Sequence, residues 1–238
     1  MIKTYRIDPS GRAYAGSQLQ IQIYVNRYQE YLNLHILESI SSLSALNSYL
    51  RWVSPLEKDK FIEYQDYALL RAVGFDNLAN DLNQYWPKGG PCWDALAVVE
   101  GAAIPNRGVL LVEAKSHPPE IYGNGCQASP SSRKKIEAAL NRTKEWLGVR
   151  KDLDWTGTLY QSANRLAHLY FFRKVANISA WLVNIYFLSD HHSPTSYEEW
   201  KDELNRVKAE LGITGINIPF FADVFLEARN RSELFIED

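Results

Sequence analysis

Two short apolar runs, seven residues apart, constrain this chain more than any other feature: W-D-A-L-A-V-V-E at 93–100 and G-V-L-L-V-E-A-K at 108–115, joined by G-A-A-I-P-N-R. Runs of this length read as β-strands, and the connection suits an antiparallel hairpin. Both runs are apolar at successive positions, so neither face of the hairpin can be left in water. The rest of the chain must cover it on both sides.

The flanking pattern supplies that cover. S-Q-L-Q-I-Q-I-Y-V-N at 17–26 alternates like a strand, yet it runs without a breaker into the helical Y-Q-E-Y-L-N-L-H-I-L-E-S-I, so strand and helix both stay open there. Lys3 to Ile7 reads as a short strand turned by Asp8-Pro9-Ser10-Gly11. Ser54-Pro55 opens a helical stretch predicted from about Lys58 to Tyr85, broken near Gly74 and ended by W-P-K-G-G-P. Beyond the hairpin, helices are predicted over Ser131–Leu147, Thr158–Val175 and Ser196–Leu211, with strands at Trp181–Leu188 and in F-F-A-D-V-F-L near the end. The expectation is an α/β fold with a mixed central sheet flanked by helices on both faces. One domain over 1–238 is expected, with an N-terminal extension (1–55), a core (56–190) and a C-terminal helix and strand (191–238).

Composition narrows the function classes. A length of 238 residues, 46% hydrophobic, is enough for one sizeable core. A formal charge of -2 argues against a nonspecific polycation but permits a local basic surface, for which Arg133, Lys134, Lys135, Arg142, Lys144, Arg150 and Lys151 are the clearest excess. Only Cys92 and Cys126 are present, so no disulfide framework or cysteine zinc site is expected. No signal-like or membrane-spanning run is seen, so a cytoplasmic protein without a membrane partner is expected. Phosphate-loop and serine-elbow motifs are missing.

The second apolar run ends in a carboxylate and an amine. In a strand, Glu113 and Lys115 project to one face while Ala114 points to the other and leaves its carbonyl available. A buried charge needs a partner or a task. Running the hairpin back from its turn brings Asp94 opposite this end. Two carboxylates and a carbonyl are hard oxygen ligands suited to Mg²⁺ or Mn²⁺.

With W-D at 93–94 and E-A-K at 113–115, eighteen residues between Asp94 and Glu113, the chain resembles the PD-(D/E)XK nuclease superfamily, which has the restriction-endonuclease-like fold. Trp93 stands where the family name has proline. The resemblance implies that Asp94, Glu113 and the Ala114 carbonyl bind Mg²⁺ or Mn²⁺, and that Lys115 positions the attacking water. It implies DNA as substrate and allows a homodimer. Some members add an acidic residue on the helix before the hairpin, for which Glu63 is the first candidate and Asp66 the second; both read equally as a solvated helix face. Some carry glutamine followed four residues later by tyrosine on a later helix. Here Gln161 matches, Arg165 replaces the tyrosine, and His168 shares their helical face. Gln161, Arg165 and the basic residues of 131–147 are then expected to contact backbone phosphates.

Other features have simpler readings. Glu100 lies at the turn end as an edge charge, His117 begins a loop, and S-D-H-H at 189–192 puts His191 and His192 in a surface loop. Two rival functions remain: a catalytically inactive binding module of the same fold, and an unrelated α/β protein in which Glu113 and Lys115 are a structural ion pair.

Overall fold

A computed structural model describes residues 7–45, 48–101 and 107–235. Its centre is a mixed five-stranded sheet in the order β1 (Tyr49–Ser54), β2 (Ala95–Glu100), β3 (Gly108–Lys115), β4 (Ala180–Leu188), β5 (Phe221–Glu227). The first three strands are antiparallel to one another and the last three parallel. Helices α1 (Gly16–Arg27), α2 (Gln29–Ser39) and α3 (Ser41–Ser44) pack on one face. Helices α4 (Asp66–Val73), α5 (Ala79–Tyr85), α6 (Pro130–Leu147), α7 (Tyr160–Tyr170) and α8 (Tyr197–Leu211) pack on the other. The α/β class, the hairpin and the cover on both faces are as the sequence predicts.

Along β3 the two faces separate by parity. Val109 and Leu111 enter the core under α4–α8, and Leu110, Val112 and Ala114 enter the core under α1–α3. Glu113 and Lys115 continue the first row.

The ambiguous segment at 17–26 is helix α1. Its glutamines imitate the polar face of a strand, but two of them are buried: Gln22 holds the Ala13 N–H and the Gly11 carbonyl, and Gln20 holds both backbone groups of Arg229. These bonds satisfy buried polar groups at the close approach of two loops.

One strand is unpredicted and one helix is corrected. Tyr49–Ser54 is an edge strand, its alternation of Leu50, Trp52 and Ser54 inward pairing it with β2. The helix predicted from Lys58 begins only at Asp66, because Lys60 and Phe61 take left-handed backbone (φ +54° and +55°) and Phe61 turns into the core. A 3₁₀ turn (Glu57–Asp59) and the left-handed pair come first, and Tyr64 then bridges to Trp93. The break at Gly74 (φ +80°) is as predicted. Of the strand expected at Lys3–Ile7, positions 3–6 lie outside the described residues; Ile7 bridges Ala13 across the predicted turn.

Within the basic cluster, Lys144 is corrected while Lys134, Lys135, Arg142, Arg150 and Lys151 are exposed. Lys144 is buried, donates to the carbonyls of Lys151 and Leu153, and lies against the Trp155 ring. Arg133 pairs with Glu137 and Thr156, and Arg150 with Asp152. Those side chains tie down the loop after α6.

Candidate active site

β2 begins at Ala95, opposite Val112, so the last three residues of β3 have β4 beside them but no β2 backbone on the other side. The sheet parts there, and Asp94 fills the gap with its side chain: Oδ2 accepts the Ala114 N–H at 2.7 Å. The opening forms a cavity of about 530 Å³ lined by Asp94, Glu113, the Ala114 backbone, Lys115, Gln161 and Arg165, with Glu63 and Cys92 on one wall and Gly123–Gly125 on another. Ala114 turns its side chain into the opposite core.

Lys115 Nζ lies 2.6 Å from Glu113 Oε1 and donates to Gln161 Oε1 at 3.1 Å. Arg165 Nε lies 2.5 Å from Glu113 Oε2. Glu113 is thus held by two cations, and both it and Arg165 are only 5% exposed. Burial alone would raise the Glu113 carboxyl, but Arg165 and then Lys115 overcome that effect and hold it below its usual range. Asp94 goes the other way: burial first, then the Glu113 charge, push it well up. Glu63, reached by Gln18 Nε2 at 3.0 Å, is likewise pushed up by burial. The Cys92 thiol, 3.7 Å from Glu63, is pushed by burial to about 11, which leaves it protonated and a weak nucleophile.

Of the residues singled out from sequence, Asp94, Glu113, Lys115, Gln161, Arg165, Glu63 and Ala114 all line this one cavity. Glu63 arrives on the extended stretch before α4 rather than on a helix. Arg165 differs from its expected role: its guanidinium is spent on Glu113, Asn164 and the Cys92 carbonyl and stacks 4.8 Å over Trp93, so it braces the site instead of meeting phosphate. Asp66 accepts from Gly89 and Gly90 N–H and holds that loop. His117 pairs with Glu120 at a turn, and Glu100 pairs with Arg51 and Tyr49 at the far edge. Ser17, Tyr160 and Asn164 also line the cavity. Asn164 could have been found, being three positions from Gln161 on one helix; Ser17 could not, because nothing local links α1 to the hairpin.

His168 is corrected too: it lies behind the site, 2% exposed, against Trp86 and Trp93, with Nδ1 on the Asn164 carbonyl. Burial pushes it down to about 4, against about 6.5 in an unfolded chain. Between those values the unfolded chain binds the extra proton, so the contribution is complete above the upper one and is lost as pH falls toward the lower. The expected loss is about 3 kcal/mol. Chemical denaturation across this window should show it, and the shape-filling His168→Phe should flatten that limb; an unchanged limb would contradict a buried neutral ring.

Among the described residues, no three His, Cys, Asp or Glu side chains gather closely enough to cage an ion, and no helix is long and apolar enough to cross a membrane. No family model, curated protein or solved structure matches this chain.

Proposed function

We propose that this chain is a divalent-metal-dependent nuclease of the PD-(D/E)XK type that hydrolyses phosphodiester bonds in DNA. The observation that carries the reading is the convergence of Asp94, Glu113 and Lys115 where β2 and β3 part, around a cavity open to a substrate.

The donor set fits Mg²⁺ or Mn²⁺. Asp94 and Glu63 sit with their carboxyls pushed up chiefly by burial, which the nearby Lys115 and Arg165 charges offset only in part at Asp94 and Arg165 only in part at Glu63. Glu113 has both oxygens engaged, but each carboxylate oxygen keeps a second lone pair. A site without a full cage suits Mg²⁺, which keeps several waters and needs only one or two carboxylates. Asp94, Glu113 and the Ala114 carbonyl would hold it, with Glu63 nearby. When bound, such an ion supplies Lewis-acid polarisation of the phosphate and a more acidic water.

The chain's own residues divide the remaining work. The Lys115 ammonium has three N–H donors, two of them held by Glu113 and Gln161. The third is free for the attacking water and for charge developing on phosphate oxygens. Gln161 fixes where the ammonium points. Arg165 keeps Glu113 ionised and in place, and Trp93 supports Arg165 from beneath.

A non-catalytic binding module is the second reading, favoured by the double engagement of Glu113. Cleavage of linear, circular, single-stranded and branched DNA with Mg²⁺, Mn²⁺ or chelator separates the two. Metal-dependent cleavage supports the nuclease; binding without cleavage at any metal concentration supports the module.

A further inference from the structure

We propose that Asn184 is a positioning residue that holds Glu113 from the sheet side through a buried water. The proposal deepens the nuclease reading and rests on it for the reaction that Glu113 serves.

Strand register sets a row of polar side chains across the sheet where the core should be apolar. Glu113 on β3 stands beside Asn184 on β4, which stands beside Asp223 on β5. All three share the face under α4–α8, because Leu182 and Tyr186, two positions either side of Asn184, enter that core and Phe221 and Phe225 flank Asp223 in the same way. The row begins at the active site and ends at the sheet edge.

The far end of the row fixes how its middle faces. Lys208 Nζ, from α8, lies 2.6 Å from Asp223 Oδ2, and Asn184 Nδ2 donates to Asp223 Oδ1 at 3.2 Å. A carboxylate paired with an ammonium offers acceptors alone, so the amide nitrogen must turn toward Asp223 and Oδ1 toward Glu113. Two acceptors then face each other across neighbouring strands. A donor of two hydrogens is needed between them.

The space between them takes a water. Glu113, Asn184, Gln161, Ser162 and Tyr186 line a cavity of about 20 Å³, which meets the larger cavity along Glu113, Lys115, Gln161 and Arg165. A second, of about 30 Å³, continues past Asn184 and Tyr186 to Lys208 and Asp223. About 10–15 Å³ is enough for one water that finds two to four polar partners. Placed in the first cavity, it donates to Glu113 and to Asn184 Oδ1, and the Ser162 and Tyr186 hydroxyls stand ready to donate to its oxygen. Asn184 is half-buried and lines both cavities, so its amide opens onto this space.

The consequence lies at Glu113, whose carboxylate has about four acceptor positions. Lys115 and Arg165 take two of them, the water takes a third, and one is left for a metal ion. Groups that orient a ligating carboxylate from behind commonly change metal affinity or activity about 10–100-fold.

Crystals of the whole chain grown in chelator test this without cleavage. A water should lie within hydrogen-bond distance of both Glu113 and Asn184 Oδ1. Asn184→Leu, which fills the space with apolar atoms, should lose that water and leave the Glu113 carboxylate turned or in two positions, whereas Asn184→Ser, which keeps a hydroxyl and admits water, should restore its placement. Calorimetric titration with Mg²⁺ should show binding roughly tenfold or more weaker in the leucine variant and near wild type in the serine variant. On DNA, kcat should fall by a similar factor in the leucine variant with KM little changed. A wild-type cavity without water, an unmoved Glu113 in a folded Asn184→Leu protein, or equal losses in the two variants would overturn the proposal. Cleavage by a protein whose Glu113 ignores Asn184 overturns this proposal alone; the expected water and Glu113 movement in a protein that cleaves nothing overturn the nuclease reading alone.

Discussion

Replacing Lys115 with alanine should lower metal-dependent cleavage roughly thousandfold, the scale on which a single donor to developing charge acts, and leave the protein folded. The fold survives because Arg165 still holds Glu113 through Oε2. What is lost is the one ammonium in the cavity with a donor to spare. Gln161→Ala should act through Lys115 and fall short of it, lowering kcat roughly ten- to hundredfold with little change in KM, as expected when a group is only misaimed. Single-turnover rates on the best DNA substrate, with circular dichroism as the folding check, measure both. A folded Lys115→Ala protein that cleaves like the wild type would remove Lys115 from the chemistry, and with it the main support for the proposed mechanism.

The second large effect is a difference in sign between the two carboxylates. Glu113→Gln takes from the buried Arg165 and the half-buried Lys115 the carboxylate that both pair with, and its new amide N–H groups face a cation. Breaking a buried pair in this way costs about 3–5 kcal/mol. Asp94→Asn does the opposite. Asp94 is a half-buried acid pushed up by desolvation and by the Glu113 charge, and asparagine keeps an oxygen for the Ala114 N–H. In chelator at neutral pH this variant should gain on the order of 1 kcal/mol, as at other sites where function opposes stability. Urea unfolding in chelator measures both, and repeating it with Mg²⁺ should stabilise the wild type more than either variant. Equal destabilisation by both substitutions would show that the two carboxyls do not differ as their surroundings imply.

The residues behind both expectations are partly legible in the sequence. Strand alternation puts Glu113 and Lys115 on one face, and counting back along the hairpin brings Asp94 to the same end. Helical spacing puts Gln161 and Arg165 side by side. The role of Arg165 is not legible, because whether a guanidinium meets phosphate or a neighbouring carboxylate depends on how α7 settles over β3 and β4. Glu63 belongs to the expected cavity but not to the expected element: left-handed backbone at Lys60 and Phe61 leaves no local signature strong enough to stop a helical reading. Lys144 reads as a solvent charge because helical periodicity does not reveal the loop carbonyls that curl over its end.

By itself the sequence determined the buried hairpin, the need to cover both of its faces, and the projection of a carboxylate and an amine from the end of one strand. These follow from interactions short along the chain, namely strand pleat, helical period and turn chemistry. Tertiary structure alone decided that β1 and α1 belong to the sheet and its cover, that Arg165 and Lys115 share Glu113, and that burial beside Glu113 pushes Asp94 up. Those outcomes depend on burial and on charges brought together from segments far apart in sequence, and the free energy of an ionised group is set by its neighbours in space.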